Sequence, residues 1–246
     1  MITVWVVFDV DGVLIDTSES YDYATKLTAE YFLEKFGKRV DVPLDAIRNL
    51  RAKGVFPDDF KLSEALIIGA LSGDLRTFCS EFPEGEGVEW VRKRFGIALD
   101  ECEIERVFNT YYLGTLYSQR LFDFPGLWRV EKSLVDVELL KKLENVAKVG
   151  VVTGRDSLEM ELAERVIGYK FRNVVTRDII EKPDPRALYI LTRGEYGIYI
   201  GDSGSDEAMI REYRKKFGDF GFIRVGRDVK DVNEAIRRVL LELSRG

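Results

Sequence analysis

Two stretches of this chain concentrate carboxylates at tight spacing. Asp9-Val10-Asp11-Gly12 sets two acids two residues apart, and therefore on one side of an extended chain. Gly201-Asp202-Ser203-Gly204-Ser205-Asp206 sets two more acids four apart. Between them in sequence stands Val152-Thr153-Gly154-Arg155, a hydroxyl and main-chain amides leading into a helix whose positive end suits an anion. Glu181-Lys182-Pro183 adds an ammonium at the approach to a further helix, where the helix dipole does not call for a cation. Each stretch also has a plain structural reading. Asp-Gly is a common turn. Asp156 or Ser157 can cap the helix after Thr153, and Ser205 or Asp206 can cap one beginning near Glu207. A single lysine is most often solvated.

Composition narrows the chemistry. The 246 residues include no histidine, which excludes a Ser-His-Asp triad, a Cys-His dyad, His-ligated zinc and any imidazole acid or base. Chemistry must run on carboxylates, hydroxyls, lysine and arginine. The two cysteines, Cys79 and Cys102, form no CxxC pair, so zinc ribbons and iron-sulfur clusters are excluded. So few cysteines in so long a chain fit a reducing cytosol. The apolar run Ile2 to Phe8 is too short to span a bilayer and lacks the basic flank of a signal peptide, so a cytoplasmic protein with no membrane partner is expected. A net charge of −6 argues against nucleic-acid binding. High charge content with few Asn, Gln, Cys and Met resembles the thermophile pattern.

The elements that must position these residues follow from periodicity. Thr3 to Phe8 reads as a strand buried on both faces. Helices are expected over Ser18 to Phe36, Pro43 to Lys53, Ser63 to Leu71, Val88 to Phe95 and Asp100 to Tyr117, with no convincing strand among them. After Pro125-Gly126 helices and short strands alternate: helix Val135 to Leu143, strand Lys148 to Val152, helix Ser157 to Ile167, strand Asn173 to Val175, helix Pro185 to Arg193, strand Gly197 to Ile200, helix Glu207 to Phe217, strand Gly221 to Val225 and helix Val229 to Ser244. The expected fold is α/β, a doubly wound, mostly parallel Rossmann-like sheet formed by residues 1–16 and 125–246, with an all-α domain, 17–124, inserted after the first strand. Leu127 to Asp136 reads as extra residues after the re-entry.

Ligands on open α/β sheets sit at the carboxyl ends of strands. The four stretches fall there together, and four bare acids would repel one another by roughly 4 kcal/mol per close pair at an effective dielectric near 20. A hard divalent cation would neutralise them, and Mg²⁺ characteristically takes one or two carboxylates, waters and a substrate phosphate. The ordered set Asp9-Val10-Asp11-Gly12, Thr153, Lys182-Pro183 and Gly201-Asp202 with Asp206 resembles the haloacid dehalogenase superfamily, in particular its phosphatases with a helical cap of the phosphoglycolate phosphatase and β-phosphoglucomutase kind. The resemblance covers the first sixteen residues and everything after about residue 125.

That resemblance implies hydrolysis of a small phosphorylated metabolite. Asp9 would be the nucleophile that forms an aspartyl-phosphate, and Asp11 the general acid and then base. Mg²⁺ would be held by the carboxylates of Asp9 and Asp202 and the main-chain carbonyl of Asp11, with Asp206 orienting this shell. Thr153 and Lys182 would hold the phosphoryl oxygens. Gly154 and Arg155 join them as candidate substrate contacts, Arg155 toward a second anionic group. Asp11 also favours phosphoryl transfer over carbon–halogen cleavage, since the dehalogenases of the superfamily lack an acid there. A phosphomutase of the β-phosphoglucomutase type shares the same residues. A receiver module would place its acids, Thr and Lys in another order on a chain about half as long. Specificity would come from the insert. There Arg51, Lys53, Asp58 and Asp59, in the segment 51–61, are candidate substrate contacts, and Tyr111, Tyr112, Leu113 and Leu116 are expected to form its core.

Overall fold

The computed structural model describes residues 4–56 and 58–244; Thr3 of the expected first strand and Pro57 of the segment 51–61 lie outside them. The chain divides into two compact units, Met1–Thr17 with Glu131–Gly246, and Ser18–Val130. The first opens with β1 (Trp5–Phe8), a run of aromatic and β-branched residues buried throughout, and a short β2 (Ile15–Asp16). The second unit holds α1 (Ser18–Lys35), α2 (Leu44–Lys53), α3 (Asp59–Ser72), α4 (Leu75–Glu81), α5 (Val88–Phe95) and α6 (Glu101–Tyr112), followed by two 3₁₀ turns, Gly114–Leu116 and Leu127–Val130. The chain then returns to the first unit as β3 (Lys132–Ser133), α7 (Val137–Glu144), β4 (Lys148–Val152), α8 (Ser157–Ile167), β5 (Val174–Val175), α9 (Arg186–Thr192), β6 (Gly197–Gly201), α10 (Gly204–Lys216), β7 (Gly221–Arg224) and α11 (Val232–Leu243). Among the described residues no helix is long and apolar enough to cross a membrane.

The main sheet has the order β5-β4-β1-β6-β7 with every neighbouring pair parallel. Strand alternation assigns the two faces. Val6 and Phe8 pack with Leu139 and Leu140 of α7, Met160 of α8 and Ile236 of α11. Trp5 and Val7 pack on the other face with Leu188 of α9 and with Met209 and Ile210 of α10. Helices on both faces explain why the strands read as unbroken apolar runs, and β1 at the centre is where the strand order reverses, the crevice in which such sheets bind ligands. The α/β doubly wound expectation holds. The short antiparallel pair β2–β3, with Ile15 opposite Ser133, accounts for the extra residues after Gly126.

The helical unit has its own core, with Phe32 and Leu33 of α1, Ile47 and Leu50 of α2, Leu66 and Ile67 of α3 and Val107 of α6. Sequence reading passed over α4, a seven-residue helix capped by Asp74, whose carboxylate accepts from Thr77 N at 2.8 Å. α3 begins at Asp59 rather than Ser63 because Asp58 caps it through Lys61 N. α6 stops at Tyr112, short of the expected Tyr117, and Gly114 with φ +61° turns the chain into a 3₁₀ turn. That turn leaves Leu116 exposed instead of in the core, whereas Tyr112 and Leu113 are buried as expected. The expected re-entry at Pro125-Gly126 precedes the observed division at Glu131. Thr115 N donates to Phe124 O and Arg129 Nε to Pro125 O, which ties the intervening residues to the helical unit.

Candidate active site

Asp9 is the first residue beyond β1, and its amide still donates to Ile200 O of β6 at 2.9 Å. Val10 O then accepts from the amides of Leu14 and Ile15, folding the chain into a tight loop around Gly12. Gly12 has φ +72°, and a Cβ there would lie 2.0 Å from Asp202 Oδ2. Only glycine meets both demands, so the Asp-Gly turn and the acidic site are one feature. The loop brings Asp9 beside the end of β6, where Asp9, Asp202 and Asp206 each offer a carboxylate oxygen within 4.8 Å of the others.

Lys182, in the segment between β5 and α9, is the cation of this cluster. Its Nζ lies 2.7 Å from Asp9 Oδ1 and 2.9 Å from Asp206 Oδ1, with the side chain 9% exposed, so it is no solvated surface lysine. Asp206 is fully buried and heavily bonded. Oδ1 accepts from Lys182 and from the Tyr199 hydroxyl at 3.1 Å, and Oδ2 accepts from Asp202 N, Ser203 N and Ser203 Oγ. These donors occupy the lone-pair sites of a carboxylate, which suits Asp206 to framing the cluster rather than to ligation. Ser203, not Ser205 or Asp206, caps α10, with Asp206 at the third position of a reciprocal capping box. The helix therefore begins at Gly204, ahead of the expected Glu207, and Asp206 is its third residue rather than its cap.

Tyr199 escaped the sequence reading, although a polar-tipped aromatic inside the apolar strand Gly197–Gly201 is a signal that the hydroxyl needs a partner. Its single hydroxyl proton is shared between two acceptors, Val152 O at 2.9 Å and Asp206 Oδ1 at 3.1 Å, linking the end of β4 to the acid after β6. Burial, then the neighbouring Asp206, pushes the phenol well above its usual range, which keeps it a donor. Tyr199→Phe is expected to cost about 1–2 kcal/mol, the usual penalty for orphaning a buried acceptor, measured by urea unfolding; an unchanged midpoint would show that the hydroxyl frames nothing.

The charges are set by burial against these contacts. Burial, with Asp206 and Asp11 adding to it, raises Asp9 to about 8 despite the opposing pull of Lys182. Burial and Asp206 raise Asp202 to about 6. Burial works against the Asp206 anion too, but Lys182 and Ser203 hold this carboxyl below the ordinary aspartate range. Burial opposes the Lys182 ammonium, and Asp9 and Asp206 more than restore it, raising its pKa. With Asp9 held protonated by burial, the Asp202 and Asp206 anions face the one Lys182 ammonium; ionising Asp9 as well would leave two negative charges in excess, which a divalent cation would balance. An all-oxygen donor set suits a hard ion such as Mg²⁺.

Thr153 directly follows β4 and is fully buried; its Oγ1 accepts from Arg155 N at 3.1 Å, which leaves its own proton to donate. Gly154 is exposed. Asp156, one of the two expected caps, starts α8 in a capping box with Glu159. Arg155 differs from expectation. Its side chain is buried and bonded to Asp11 and Glu131 rather than presented to a second anionic group. Glu131 gave no local signal, because its partner lies far along the chain. Within the helical unit, Arg51 pairs with Asp22 and Asp59, Lys53 donates to the carbonyl of Ser80, and Asp58 caps α3. Those four residues thus each make a contact within the unit's own scaffold.

No protein-family model matches the chain, and no curated protein matches it. Among solved structures, phosphatase Tt82 from Thermococcus thioreducens is 58% identical, with 98% of this chain and 100% of that chain covered and a TM-score of 0.88. A HAD-superfamily hydrolase of subfamily IA, variant 1, from Geobacter sulfurreducens PCA shares the fold at 18% identity, covering 98% of this chain and 96% of that one, with a TM-score of 0.55. The chain belongs to the haloacid dehalogenase superfamily. The superfamily's ordered motifs stand here at the ends of β1, β4 and β6 and ahead of α9.

Proposed function

We propose that the protein is a Mg²⁺-dependent phosphatase that hydrolyses a small phosphomonoester through an aspartyl-phosphate on Asp9. The observation that carries this reading is a buried Asp9 carboxyl, bonded to Lys182 and set beside Asp202 and Asp206 with one oxygen of each acid within 4.8 Å of the others. The similarity to a phosphatase at 58% identity supports it. Asp9 attacks phosphorus, the bond to the leaving oxygen breaks, and Asp11 gives that oxygen a proton. Asp11 then takes a proton from water, whose oxygen attacks the aspartyl-phosphate; the bond from phosphorus to Asp9 breaks, phosphate leaves and the carboxylate returns. Lys182 and the Thr153 hydroxyl hold phosphoryl oxygens, where charge develops. The carboxylates of Asp9 and Asp202 and the carbonyl of Asp11 would hold Mg²⁺, which would supply the charge neutralisation a phosphate dianion needs. The helical unit Ser18–Val130 would select among phosphomonoesters.

A broad phosphomonoester panel with Mg²⁺, with an EDTA control, tests this reading; free phosphate is the expected product, and full activity after complete metal removal would contradict it. Metal binding also carries a pH signature. The ligands must be deprotonated, and without metal Asp202 and Asp9 titrate at about 6 and about 8. The Mg²⁺-induced rise in melting temperature is therefore expected to be small at about pH 5 and to grow toward pH 8. Equal shifts at both ends would rule these two residues out as the ligands.

A further inference from the structure

Arg155 follows Thr153 directly, yet its side chain is fully buried. Its Nε donates to Asp11 Oδ1 at 2.8 Å, and its Nη2 lies 2.7 Å from the same oxygen. Nη2 also donates to Glu131 Oε2 at 2.9 Å, and Nη1 donates to Glu159 O, in the first turn of α8, at 3.1 Å. The Glu131 side chain is likewise fully buried, whereas that of Asp11 is 31% exposed. A planar guanidinium, fixed from behind by a buried carboxylate and a helix, thus grips one oxygen of a carboxyl that otherwise reaches solvent. Guanidinium does not release its proton in proteins, so Arg155 is not itself an acid in the reaction. Both of its contacts to Asp11 fall on Oδ1, which leaves Oδ2 outside the fork.

We propose that Arg155, locked by Glu131, is a positioning residue that fixes the Asp11 carboxyl so that Oδ2 exchanges the proton. This rests on the reading of Asp11 as the acid and base. As the bond from phosphorus to the leaving oxygen breaks, the proton on Oδ2 passes to that oxygen; in the second step Oδ2 takes a proton from the attacking water. Oδ1 remains an acceptor from Arg155 throughout. Aim matters because a misplacement of about 1 Å can cost on the order of 10² in rate, and lysine lacks the fork that sets it.

The test compares Asp11→Asn, Arg155→Lys and Glu131→Gln in the full chain with Mg²⁺. Each is assayed on glycerol phosphate, whose alkoxide needs a proton, and on 2,4-dinitrophenyl phosphate, whose leaving group does not. The readout is kcat/KM, which reports the steps up to formation of the aspartyl-phosphate. Asp11→Asn is expected to lose roughly 10²-fold or more on glycerol phosphate, in the range of general-acid contributions, and only a few-fold on the aryl ester. Arg155→Lys should show the same selective loss at about tenfold or more, and Glu131→Gln a smaller one in the same direction. If Arg155→Lys does not fold, as judged by thermal melting, Glu131→Gln carries the test. Equal losses on the two substrates in Arg155→Lys or Glu131→Gln, beside a selective loss in Asp11→Asn, would overturn the role of Arg155 and leave that of Asp11 intact. Equal losses in Asp11→Asn would overturn both.

Discussion

Asp9→Asn is expected to lower kcat by at least about four orders of magnitude, the scale on which removal of a nucleophile acts, while the protein stays folded. An amide fills the same space and can still accept from Lys182, but it cannot form an acyl phosphate. Stability gives the same substitution a second signature. The Asp9 carboxyl is raised from 3.8 to about 8, chiefly by burial. A group raised in the folded state contributes stability that is complete below its unfolded pKa and is lost as pH climbs through the folded one. Metal-free wild type should therefore lose stability from this residue between about pH 4 and pH 8, and the variant should not. In EDTA the melting temperature of Asp9→Asn is expected to gain on that of wild type as pH rises through that window. A variant that retains activity would remove Asp9 as nucleophile, and one whose deficit widened with pH would show that the wild-type carboxylate is not held against its ionisation.

Lys182→Met should have the next largest effect, on folding as well as on turnover. Lys182 stands between two carboxylates, at 2.7 and 2.9 Å, with the three side chains at most 9% exposed. Removing the cation leaves two buried acids facing each other, and breaking a buried pair in this way typically costs about 3–5 kcal/mol. The sign follows from Asp206. Burial opposes its anion, yet Lys182 holds its pKa below the usual value, so Asp206 stabilises the fold above the unfolded pKa and loses that contribution as pH falls. Without Lys182 that contribution is gone and both acids resist ionisation. The deficit of Lys182→Met, measured by urea unfolding in EDTA, should be largest near neutral pH and shrink toward pH 4 as the unfolded-state carboxyl of Asp206 takes up its proton. A deficit independent of pH would mean that lost packing, not lost charge, is responsible. Activity should fall by on the order of 10² or more, as for removal of one donor to a developing oxyanion.

How far the sequence reached depends on the range of the interaction concerned. β4 and α8 appear at the expected residues because a β-branched run and a capped amphipathic segment are local signals. The acids at the ends of β1 and β6 and the lysine ahead of α9 group together on sequence alone, because strand ends in a parallel sheet converge on one edge. What failed was long-range or short-lived in sequence. The partner of Arg155 is separated from it by 144 positions, so its pairing with Asp11 left no local trace and its charge was read as a contact for substrate. Arg51 and Lys53 likewise have partners that leave no local trace, since a charged side chain in a loop-rich stretch looks free until those partners are known. Helix α4 is too short for its periodicity to stand out. The cap of α10 falls on Ser203, ahead of the expected Ser205 or Asp206, because Ser203 and Asp206 bond reciprocally across the first turn.

The most direct test of the central claim is a rapid acid quench of the enzyme turning over a ³²P-labelled phosphomonoester, followed by mapping of the protein-bound label. The expected result is a hydroxylamine-sensitive acyl phosphate on the peptide containing Asp9, absent from Asp9→Asn and accumulating in Asp11→Asn, where the attacking water has lost its base. Phosphate release with no labelled protein under these conditions, or label on any residue other than Asp9, would contradict it.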